Sequence, residues 1–92
     1  MSAVTIWKET LRSAHEQEIS VPAGAELLSA REQRDHICVW FKCDPEKPRE
    51  KRVIRIHVTG SDAPPLGNAW RFLGTASFQG GDLIYHVFER AQ

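Results

Sequence analysis

The chain has 92 residues, 41% of them apolar, which suits one small domain with a modest core and argues against disorder; no apolar run approaches the ~20 residues that cross a bilayer as a helix. Twelve acidic residues balance twelve basic ones, so no global charge draws the chain to nucleic acid or to an anionic membrane. Two cysteines are too few for a secreted disulfide scaffold, and the start of the sequence has neither the basic leader nor the long apolar stretch of a signal peptide, so a reduced, cytoplasmic setting is expected.

Val4 to Leu11 reads as a first strand, with Trp7, Glu9 and Leu11 on one side and Ile6 on the other. A polar turn follows over Arg12 to Glu16. Gln17 to Val21 alternates, Ile19 and Val21 inward and Glu18 and Ser20 outward, until Pro22-Ala23-Gly24 ends the strand. Ala25 to Gln33 is rich in helix formers, yet Leu27-Leu28 alone makes no helical stripe and its neighbours are strands. A strand is expected there, with a short helix as the alternative. Gln33-Arg34-Asp35-His36 then looks like a hairpin loop into the apolar strand Ile37 to Cys43, on which Cys38 and Cys43 fall on opposite faces and stay unpaired.

After a polar loop with two prolines, Lys51 to Thr59 alternates again. Ile54, Ile56 and Val58 form the buried face, while Val53, Arg55 and His57 point outward. Gly60 to Ala69 is the longest irregular stretch, and loops of that length in small domains often carry function. Trp70 to Phe78 and Leu83 to Glu89 flank Gly80-Gly81, a dipeptide suited to a φ > 0 hairpin turn. Simple alternation puts Trp70, Phe72, Ala76 and Phe78 on one face. The apolar character of both faces predicts a hairpin lying centrally in its sheet and covered on both sides. About seven short strands with no long amphipathic helix predict a single all-β domain over residues 1–92, mainly antiparallel, as a small sandwich or barrel.

The order of these pieces resembles a family of short β domains, of unknown function, encoded by phages and prophages. The likeness rests on Ile6-Trp7-Lys8, on Val21-Pro22-Ala23-Gly24-Ala25 followed by Leu27-Leu28-Ser29, and on Val39-Trp40. It continues through Val58-Thr59-Gly60 and Gly74-Thr75, and is strongest over the closing Gly80-Gly81-Asp82-Leu83-Ile84-Tyr85-His86-Val87-Phe88-Glu89. These are turn and core residues that mark a fold. The resemblance implies a phage or mobile-element origin and no particular chemistry.

No catalytic constellation emerges from the residues. His15, His36, His57 and His86 lie on four separate segments, Cys38 and Cys43 are spaced wider than a structural zinc pair, and both cysteines sit in an apolar strand. Nucleophile elbows, phosphate-cradling glycine loops and paired-carboxylate motifs are missing, so no enzyme, cofactor or metal is expected. Lys47, Arg49, Lys51, Arg52 and Arg55 could make a patch for single-stranded nucleic acid. Against it, Glu46 and Glu50 interleave, and no aromatic alternates with the bases on that strand.

Protein binding fits best, because three Trp are generous for so small a domain and aromatic and Arg residues dominate interface hot spots. The expected surface is the Gly60–Ala69 loop with the strand beside it, chiefly Arg52, Arg55, His57, Asp62 and Trp70. On the implied origin the partner is a host protein, for instance a component of an antiviral defence complex inhibited in the manner of an anti-CRISPR. A small-molecule or nucleotide site under the same loop is the alternative, and a homodimer through an edge strand is a further possibility.

Overall fold

A computed structural model describes residues 3–92. Seven strands follow in order: β1 (Thr5–Thr10), β2 (Glu16–Pro22), β3 (Glu26–Gln33), β4 (His36–Cys43), β5 (Arg49–Val58), β6 (Trp70–Phe78) and β7 (Leu83–Arg90). They form two antiparallel sheets, one ordered β1-β4-β3 and the other β2-β5-β7-β6, packed face to face. The fold is therefore an all-β sandwich and not a closed barrel. The segment expected over Ala25 to Gln33 resolves as strand from Glu26 to Gln33, with Leu27 and Ala30 buried against the facing sheet.

Local chemistry sets the corners. Arg34 and Asp35, at φ 50° and 69°, make the tight two-residue turn between β3 and β4. Gly80 and Gly81, at φ 65° and 99°, lie in the single 3-10 turn Gln79–Gly81 that closes the β6–β7 hairpin. Inward residues at alternate positions then meet in one core, with Val21, Val39, Ile54 and Val87 fully enclosed around Leu27 and Phe41. Each such side chain contributes roughly 1.5–3 kcal/mol relative to exposure. Cys43 faces this core and Cys38 faces the other side of β4. Both are buried and unpaired, and burial raises the Cys43 thiol above its ordinary value.

The flank where β3 meets β6 is a tight seam. An added Cβ on Gly74 would stand 2.0 Å from the Ala30 carbonyl oxygen, so the two backbones touch there. Both strands carry a bulge at this seam, between Leu27 and Ser29 and between Phe72 and Gly74. The second bulge corrects the simple alternation expected of the hairpin. It turns Leu73 inward and shifts the pattern by one, so Ala76 and Phe78 face the interior while Trp70 and Phe72 face out. The hairpin is likewise not central: β6 ends its sheet, and Phe72 is 53% exposed on a side that no other layer covers. On the opposite flank β1 pairs only with β4 and β2 only with β5. The Arg49 guanidinium, 5.8 Å from the centre of the Trp7 ring, bridges them.

Candidate binding face

Parity along the larger sheet assigns its two faces. Arg55 of β5 pairs with Phe88 of β7, and Phe88 with Phe72 of β6; Trp70 pairs with Arg90 one step further along. Directly opposed residues project to the same side, so these five side chains share the outer face. Their contacts are specific. The Arg55 guanidinium lies 4.3 Å from the centre of the Trp70 ring and that of Arg90 lies 5.1 Å from it, while Phe72 and Phe88 meet edge to face at 5.5 Å. Cation–π contacts of this sort contribute about 0.5–1 kcal/mol each at exposed sites, and they hold the long Arg side chains in place.

Arg55 is also anchored from its other neighbour. Its Nε donates to Glu16 Oε1 at 2.7 Å across the β2–β5 pair, and this bond holds the Glu16 carboxyl below its ordinary value of 4.5. The face therefore grades from acidic on β2, with Glu16 and Glu18, to cationic and aromatic on β6 and β7. Arg90, by contrast, has no carboxylate within ion-pair distance among the described residues.

Of the five residues expected at the binding surface, Arg55 and Trp70 come together in direct contact. His57 stands on the same side of β5, yet it is only 5% exposed. Its Nδ1 bonds the Asp62 backbone carbonyl, and its ring packs edge-on against His15 at 4.6 Å and Phe88 at 5.9 Å. The outward, solvent-facing position expected for His57 is thus corrected, because the start of the 59–69 connection folds over it. Asp62 itself is exposed and contributes that carbonyl.

Arg52 lies elsewhere. It points between the sheets at 7% exposure, donating through Nη1 to the Ala25 carbonyl at 2.7 Å and through Nη2 to Glu89 Oε2 at 2.7 Å. Glu89 in turn accepts from Arg71, whose Nη2 also reaches the Leu27 carbonyl. The three charged groups tie β5, β6 and β7 to β3, which is structural work. The basic segment Lys47 to Arg55 is therefore no continuous patch: Arg49 covers Trp7, Arg52 is enclosed, and Arg55 is paired.

Sequence reasoning missed Phe72, Phe88 and Arg90, whose placement depends on the bulge and on the strand order. It also passed over Glu89, although an acid at an inward position of Leu83 to Glu89 was a visible signal of a buried partner. Among the described residues, no group of three or more His, Cys, Asp or Glu is placed to hold a metal ion.

A family model described as a domain of unknown function, DUF7352, matches residues 2–92, and the chain belongs to that family. No match is found among curated proteins or among solved structures.

Proposed function

We propose that this DUF7352 domain is a non-catalytic binding module that docks a protein partner on the outer face of its four-stranded sheet. The observation that carries the reading is Trp70 held between Arg55 and Arg90, beside the exposed ring of Phe72. Rigid aromatics flanked by oriented guanidinium groups are the usual composition of an interface hot spot. Arg90, without a carboxylate of its own, and Phe72 together ask for a segment that offers an Asp or Glu next to an apolar side chain.

Single-stranded nucleic acid would use the same aromatics as stacking platforms. It is disfavoured because Glu16 neutralises Arg55, Glu18 lies on the same face, and the chain carries no net charge. The phage or prophage origin implied by the sequence resemblance makes a host protein in the bacterial cytoplasm the expected partner. A component of an antiviral defence complex is the first candidate.

The test is capture of a partner from host lysate, identification by mass spectrometry, and titration of the purified partner by calorimetry. Phe72→Ser and Arg90→Glu, both at exposed positions, should lower the melting temperature by only a few degrees, about the loss of one aromatic or cation–π contact, and weaken binding by about 30-fold or more, the scale of a hot-spot residue. Unchanged affinity in both folded variants refutes the assignment. A steep loss of affinity with salt, together with binding to oligonucleotides, would move the reading to nucleic acid.

A further inference from the structure

The interior of the sandwich is open at one end. There Ile56 and Val58 of β5 and Leu83 and Tyr85 of β7 stand across from Leu11 and Ile37, around a cleft of about 660 Å³. All of these except Leu11 are only half-buried, because the strands of the larger sheet present more apolar surface at this end than the smaller sheet covers. The volume lies within the roughly 300–1,000 Å³ typical of small-molecule sites.

The rim is polar and held in place. Arg12, Ser13 and His15 come from the β1–β2 turn, Asp35 from the β3–β4 turn and His36 from the start of β4. Gln17, 5% exposed, fixes the first turn: its Oε1 accepts from the Arg12 amide at 3.0 Å and its Nε2 donates to the Arg12 carbonyl at 2.9 Å. A buried amide spent on one loop gives that loop a single conformation. The Arg12 guanidinium has no carboxylate within ion-pair distance among the described residues. His36 bonds the Arg34 carbonyl through Nδ1 at 3.1 Å, which leaves its Nε2 available. Arg12, His15 and His36 thus share the lining with a single acidic residue, Asp35.

An apolar cleft with an unneutralised arginine at its mouth, its backbone held by Gln17, selects for molecules that are apolar at one end and anionic at the other. We infer that the cleft binds a small amphipathic carboxylate, with its alkyl or aryl part between Ile37 and Val58 and its carboxylate on Arg12. This site is separate from the docking face: the cleft opens from the interior between the sheets, the docking face is the outer side of the larger one, and either can fail alone.

Octanoate, octan-1-ol and octylammonium are suitable probes, titrated into the full chain and followed by amide chemical shifts and calorimetry. Octanoate should bind saturably, with shifts centred on Ile37, Val58 and Leu83. Arg12→Gln, at an exposed position, should weaken it by about tenfold, the loss of one charge-assisted hydrogen bond. Val58→Phe should abolish binding by filling the cleft, and Phe72→Ser should leave it unchanged. If Val58→Phe does not fold, Arg12→Gln decides alone. Absence of saturable shifts, equal binding of the alcohol or the amine, or indifference to Arg12→Gln overturns the inference.

Discussion

Gly74→Ala is the sharpest probe of how the two sheets are joined. The added Cβ would stand 2.0 Å from the Ala30 carbonyl oxygen and 3.0 Å from both the carbon and the nitrogen of that residue. Ordinary contact begins at 3.4 Å, so β3 and β6 must separate by roughly 1 Å or more, and no rotamer offers an escape because every opposing atom is backbone. Overpacking a core costs about 1–3 kcal/mol, and a backbone-to-backbone clash belongs at the upper end. At roughly 4–8 °C per kcal/mol for a domain of this size, Gly74→Ala should melt about 12–24 °C below the parent. Gly81→Ala supplies the contrast. Gly81 has φ 99° but nothing within 4 Å, so its replacement costs only the conformational strain of about 1 kcal/mol. Thermal melting of the two variants side by side checks the reasoning. A Gly74→Ala protein that melts no lower than Gly81→Ala would show that the seam yields freely.

Glu89→Gln should destabilise by about 3 kcal/mol in urea unfolding, because it removes the close carboxylate from the enclosed Arg52 guanidinium and leaves only the longer 3.9 Å approach to Glu50. A loss under about 1 kcal/mol would make the Arg52–Glu89–Arg71 cluster incidental. Both thiols should resist a thiol reagent in the native protein and react at once in denaturant. Since burial lifts the Cys43 thiol above 9.0, raising the pH from 7 towards 9 should accelerate its labelling less than that of a free cysteine. A fast native phase at Cys43 would contradict its placement.

Strand periodicity carried most of the fold. Ile19 and Val21, Ile54, and the apolar run through Val39 and Phe41 each needed only the two-residue repeat to be placed. What the repeat could not supply was the point where it breaks. The bulge before Gly74 answers to the approach of Ala30, a residue 44 positions away in the chain, and no local signal marks it. The candidate face inherits this limit. Arg55 and Trp70 stand apart in the sequence, one within a strand and the other at the end of the long loop. Their contact, and the arrival of Phe88 and Arg90 between and beside them, follows from the order β5-β7-β6. Arg52 and Arg55 look alike in sequence, but an odd spacing sends one inward and the other out, and the inward one required an acid that only the fold brings near.

A sandwich fastened along one flank behaves as a lever. The backbones of β3 and β6 meet without a gap, whereas β1 and β2, at the far edge, have the Arg49 guanidinium lying over Trp7. A fixed angular change about the seam would move the far edge through the larger arc. The tryptophan at that edge sits where such a displacement is greatest, 39% exposed and stacked on a cation that any widening would pull away. With Trp40 and Trp70 replaced by Phe, Trp7 emission becomes an internal gauge of the angle between the sheets, readable in variants whose substitution lies on the opposite side of the molecule.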